Sequence, residues 1–164
     1  MDDSRDGTYA REPQAEDLVR ICGALNAEGA RYVLIGGFAV IAHGGARTTK
    51  DIDLLVDPSP GNIARVKAAL SVLADRAATE VQDDEVARYA VVRIADEVVV
   101  DLMARACDVT YEDAIRDAVR MTLGGVSIPV ASVPTLLRTK NTVRPADAAD
   151  RRFLMALARA QEEA

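Results

Sequence analysis

Three aspartates and a pair of glycines are the residues whose types and spacing best suit them to chemistry. Asp51 and Asp53 stand two apart in the apolar run DIDLLV. Strand side chains alternate faces, so both carboxylates project from one side of such a strand. Asp101 stands alone in VVVDLMA, where an ionised carboxylate is costly unless paired, solvated or metal-bound. Three carboxylates brought together repel, and one holds a proton or turns to solvent unless a cation joins them. Mg2+, or Mn2+ in its place, takes hard oxygen ligands and bridges carboxylates to substrate phosphates. Ions held there lower the pKa of an attacking hydroxyl and stabilise charge on a transferred phosphoryl group.

Gly36 and Gly37 supply a matching half. They end the apolar run YVLI and precede FAVIAHG, which holds the single histidine. Lacking Cβ atoms, their backbone admits a close ligand, and N–H groups at a following helix start can receive phosphate oxygens. Neither GxxxxGK[ST] nor GxGxxG is present in this stretch, so a P-loop and a dinucleotide fingerprint are both unsupported.

These residues need strands and helices to position them. Apolar positions Leu18, Ile21, Cys22 and Leu25 predict a helix over 14–28, stopped at Gly29. Strands follow at Tyr32–Ile35 and Asp51–Val56, with a short helix at about 38–43 between them. The cluster Asp57-Pro-Ser-Pro-Gly interrupts the sheet, and a helix is expected from about Asn62 to Leu73. ARYAVVRI and VVVDLMA read as antiparallel strands joined over residues 95–97. Thr110 caps a helix expected to reach about Arg120. MTL and VSIPV form a hairpin over Gly124-Gly125, with Pro129 restricting one strand to an edge. Ser132 caps a helix at VPTLLRTKN, and a last helix spans about 146–160.

The 164 residues carry 49% hydrophobic side chains but 4% aromatic, so one core of Ala, Val, Leu and Ile is expected. Residues 1–13 read as a flexible tail and 14–164 as one domain. The net charge of −6 argues against bulk nucleic-acid binding, although Arg31, Arg47, Lys50, Lys140 and Arg144 could form a local groove. Cys22 and Cys107 belong to no metal or disulfide framework. With no apolar leader and no apolar run of membrane-spanning length, a soluble cytoplasmic protein is expected. Tyr32, Phe38 and Tyr89 read as core or rim residues, and His43 as an organiser of the glycine loop.

Taken together, GG at 36 and 37, DID at 51–53 and the isolated Asp101 resemble the nucleotidyltransferase fold of the DNA polymerase beta superfamily. The string GGFAVIAHGGARTTKDIDLLV resembles small bacterial nucleotidyltransferases related to the AbiEii toxin group. That family has Gly-Gly or Gly-Ser at the turn, so the hydroxyl of the Gly-Ser form is absent at Gly37. The resemblance covers about residues 30–155. It implies an α/β (α+β) fold, a mixed twisted sheet flanked by helices with the site at one sheet edge. It further implies metal binding by Asp51, Asp53 and Asp101, with Asp101 helping to activate the acceptor. Arg47 and Thr49 would orient the loop or triphosphate. Lys140, ahead of Asp147 and Asp150, would contact phosphate or form an ion pair with one of those acids.

The implied activity is magnesium-dependent transfer of a nucleotidyl group from a nucleoside triphosphate to a hydroxyl. The acceptor is a small molecule, a protein side chain or an RNA end, and a protein regulator is a further expected partner. Two other readings share the residues: a catalytically weak nucleotide-binding or partner-regulating protein, and a metal-dependent phosphoryl hydrolase.

Overall fold

The computed structural model describes residues 10–164. In chain order the elements are α1 (Ala15–Ala27), β1 (Tyr32–Ile35), α2 (Gly36–Ala42), β2 (Asp51–Val56), α3 (Pro60–Leu70), a 3-10 turn (Ala77–Glu80) and α4 (Glu85–Arg88). Then come β3 (Val92–Ala95), β4 (Val99–Met103), β5 (Arg105–Ala106), β6 (Val109–Thr110), α5 (Tyr111–Ile115), β7 (Val119–Leu123), β8 (Val126–Val130), α6 (Val133–Thr139) and α7 (Pro145–Glu163). Six strands form one mixed sheet in the order β3-β4-β2-β1-β8-β7, and β5-β6 is a separate small ribbon. This is the mixed α/β architecture expected from the sequence. None of the helices is long and apolar enough to cross a membrane, among the described residues.

The sheet divides its side chains by parity. Tyr32 and Leu34 of β1, and Ile52, Leu54 and Val56 of β2, are buried on the face that carries α1, where the Tyr32 hydroxyl donates to Asn26 at 2.9 Å. Each large aliphatic buried this way contributes roughly 1.5–3 kcal/mol. Asp51 and Asp53 take the opposite face, which carries α2. The apolar parity of β2 therefore delivers the acids to one side.

Several boundaries depart from expectation. The short helix begins at Gly36 itself, and α3 begins at Pro60, which lacks an N–H to leave unpaired in a first turn. The strand read from ARYAVVRI covers only Val92–Ala95. Ahead of it Val86 is fully buried and Tyr89 N–H donates to the Glu85 carbonyl at 2.9 Å, closing a helical turn. The helix expected to reach Arg120 stops at Ile115. Thr110 accepts from Asp113 N–H at 3.3 Å as expected, but residues 119–123 pair with β8 instead of continuing the helix.

Pro129 does not mark an edge strand, since β8 lies between β1 and β7. Its ladder to β1 is a single bridge at Leu34 and Val130, closed by Ala131 N–H on the Leu34 carbonyl at 3.0 Å. A missing donor at Pro129 therefore interrupts little pairing.

Residues 1–9 of the expected tail lie outside the described residues. Arg11, in its final part, is held by Asp17 through two contacts at 2.6 and 2.7 Å and by the Glu97 carbonyl at 3.1 Å.

Candidate active site

One transverse row of the sheet builds the acidic centre. Ile35 of β1 pairs with Asp53 of β2, Asp53 pairs with Asp101 of β4, and Asp101 pairs with Arg93 of β3. Asp51 joins from two residues along β2. One oxygen from each of Asp51, Asp53 and Asp101 lies within 4.8 Å of the others. The expected meeting of the three acids is thus realised, but on the two interior strands β2 and β4 and not at the outer strand of the sheet.

Charge at this centre is undercompensated. Burial, followed by the charges of Asp51 and Asp101, pushes the Asp53 carboxyl up to about 7, against the opposing pull of Lys140 and Arg144. Asp51 is raised as well, first by burial and next by Asp101, while Arg93 pulls it down. An all-oxygen, acid-rich donor set short of positive charge fits a hard divalent cation.

The glycines shape the floor. Gly36 has φ +73°, a conformation that suits glycine, and a Cβ there would come within 2.8 Å of the Asp53 Cβ and Cγ. A Cβ on Gly37 would lie 2.6 Å from Thr49 Oγ1 and 3.3 Å from the Arg47 guanidinium carbon. Thr49 Oγ1 donates to the Asp51 carbonyl at 3.1 Å. A threonine hydroxyl therefore stands beside the turn whose own residue 37 has none.

Arg47 and Lys140 converge on the C-terminal helices. The Arg47 guanidinium donates to Asp150 at 2.5 Å, and Lys140 Nζ lies 3.0 Å from Asp150 and 3.5 Å from Asp147. Asp147 also accepts from the Thr142 hydroxyl and pairs with Arg144 at 3.4 Å. Lys140, Asp147 and Asp150 are all buried. The ion pair weighed for Lys140 is present and joins the end of α6 to α7, while the Arg47 contact to Asp150 ties the segment before β2 to α7. The wider groove of five basic residues does not assemble: Arg31 pairs with Asp57 at 3.5 Å and covers the Tyr111 ring at 5.4 Å, at the end of β1 away from Gly36. Lys50 is exposed.

His43 Nε2 lies 2.8 Å from the Ala131 carbonyl. A carbonyl only accepts, so Nε2 carries the proton and His43 fixes the end of α2 to the β8–α6 junction. Tyr32 and Phe38 are core residues, whereas Tyr89 is exposed. Tyr89 borders a cleft of about 550 Å3 that also meets Asp57, Ala104 and Arg105, near the opposite ends of β2 and β4 from Asp51 and Val99.

Arg93 is the site residue that sequence reasoning missed. Its Nε and one terminal nitrogen donate to the two oxygens of Asp101, both at 3.0 Å, and the same terminal nitrogen reaches Asp51 at 3.2 Å. The available signal was the hairpin, provided its reversal is centred on Glu97, from which Arg93 and Asp101 are equally far.

A family model described as "Nucleotidyl transferase AbiEii toxin, Type IV TA system" matches residues 20–150, a span that includes all the residues above. None of the curated proteins compared with the chain matches it significantly.

Proposed function

The chain belongs to the AbiEii family of nucleotidyl transferase toxins of type IV toxin-antitoxin systems and has the nucleotidyltransferase fold; on that premise we propose that it transfers a nucleotidyl group from a nucleoside triphosphate to a hydroxyl acceptor, with Mg2+ or Mn2+ as cofactor. The observation that carries this reading is the convergence of Asp51, Asp53 and Asp101 beside a glycine turn, where a Cβ on Gly36 would strike Asp53.

Asp51, Asp53 and Asp101 would hold the divalent ion, which supplies charge stabilisation for the phosphoryl group and acidifies the attacking hydroxyl. Gly36 and Gly37, without Cβ atoms, let Asp53 and Thr49 close in on the turn whose N–H groups would receive phosphate oxygens. Thr49 offers a hydroxyl next to Gly37, where the serine of the Gly-Ser form is absent. Arg47 and Lys140 contribute positive charge along the triphosphate while Asp147 and Asp150 hold them in place. Asp101 takes the proton of the acceptor hydroxyl. The acceptor oxygen bonds to the α-phosphorus, the bond from that phosphorus to the bridging oxygen breaks, and pyrophosphate leaves. An antitoxin protein is the regulating partner that the family membership suggests.

The test is incubation with α-labelled and γ-labelled nucleoside triphosphates and candidate small-molecule, protein and RNA acceptors. Transfer of the α-label with release of pyrophosphate is expected. Release of inorganic phosphate alone would replace this reading with hydrolysis.

A further inference from the structure

Arg93 occupies the position of a cation on the acidic centre, and its geometry is more than that of a surface ion pair. Exposed single pairs contribute little and are easily lost to solvent. Here a planar guanidinium engages both oxygens of Asp101 at 3.0 Å and adds a third contact to Asp51 at 3.2 Å. The Asp101 side chain is only 8% exposed, so its hydrogen-bond partners come from inside the protein. Lys140 and Arg144 bear on Asp53 only through longer-range attraction. Among the described residues, Arg93 alone makes ion-pair contact with any of the three acids.

Its placement makes that contact reversible. Arg93 sits on β3, the outermost strand on that side, and its side chain is 52% exposed. The guanidinium therefore has water on one side and can leave the carboxylates without disturbing buried packing. A divalent ion seated on Asp51 and Asp101 needs oxygens on which Arg93 already donates. The two positive charges bind the same carboxylates and repel each other, so each weakens the other's hold by the same factor.

We propose that Arg93 is a built-in counter-cation of the acidic centre, which pairs with Asp51 and Asp101, holds them aligned in the metal-free protein and competes with the divalent ion for them. It thereby sets the metal concentration at which the site fills. This inference rests on the metal site of the preceding section. It makes Arg93 a positioning residue rather than a catalytic one.

The experiment is calorimetric titration of Mn2+ into the full chain and into the variants Arg93→Gln and Arg93→Lys, with thermal unfolding of each in chelator and in saturating Mn2+. Arg93→Gln should bind Mn2+ more tightly than the parent, by a factor on the order of the roughly 5- to 150-fold usual for coupled binding equilibria. Arg93→Lys, which keeps the charge but not the paired hydrogen bonds, should fall between. The melting temperature of Arg93→Gln should lie below the parent in chelator, and saturating Mn2+ should close that gap. Unchanged or weaker Mn2+ binding by both variants would overturn the competition and leave the metal site standing. No Mn2+ binding by any of the three proteins would overturn the inference together with the metal site.

Discussion

Asp53 and Asp101 are Cα partners in the parallel ladder between β2 and β4, so their carboxylates leave the same face of the sheet from adjacent strands. The backbone itself enforces that proximity, and the acids repel at close range without a cation. Asp53→Asn should therefore keep or raise the melting temperature of the metal-free protein near neutral pH, because it removes a costly buried charge. Its melting curve in chelator, compared with the parent, checks this.

The same crowding predicts a pH dependence. The Asp53 carboxyl is raised to about 7 by burial and by Asp51 and Asp101, against roughly 3.9 in an unfolded chain. A raised carboxyl binds a proton in the folded state that the unfolded state has released. Its stabilising contribution is thus full below the unfolded value and is lost as pH rises through about 7. Metal-free stability should decline across that window, and Mn2+ affinity should rise across it because binding expels the proton. Titrations at several pH values, in low-affinity buffers, measure both slopes.

Gly36→Ala should be disruptive despite its small size. The new Cβ would strike the Asp53 carboxyl and force a φ of +73° on a residue with a side chain. A loss of about 1–3 kcal/mol from the backbone alone is expected in urea unfolding, and metal binding should weaken as Asp53 is displaced.

Asp150 joins the half-buried Arg47 and the buried Lys140 in one ion cluster. Asp150→Ala leaves two cations without their shared partner and should cost roughly 3–5 kcal/mol. Hydrogen exchange should report faster opening of residues 44–50 than in the parent, because that segment loses its tie to α7.

Much of this site was legible in the sequence because its parts obey short-range rules. Alternation placed Asp51 and Asp53 on one face, and the Gly36-Gly37 break after Ile35 located the turn. Register was harder. With the reversal centred on Asp96, Asp101 would face Val91; the observed ladder is centred on Glu97 and brings Arg93 opposite instead. A one-residue slip decides which side chain meets the acid. The cluster of Arg47 with Asp150 joins residues 103 apart in the chain, and no local pattern encodes it. Residues 111–123 misled for another reason: a capped helical start is followed by a segment whose pairing with β8 outweighs its helical preference.

The most direct test of the account is nucleotidyl transfer by the parent and by Asp53→Asn, assayed side by side with α-labelled nucleoside triphosphates, Mg2+ and candidate acceptors. The parent should attach the α-label to an acceptor hydroxyl and release pyrophosphate, and Asp53→Asn should lose at least roughly 10²- to 10³-fold of that rate while remaining folded. Undiminished transfer by Asp53→Asn would contradict the account.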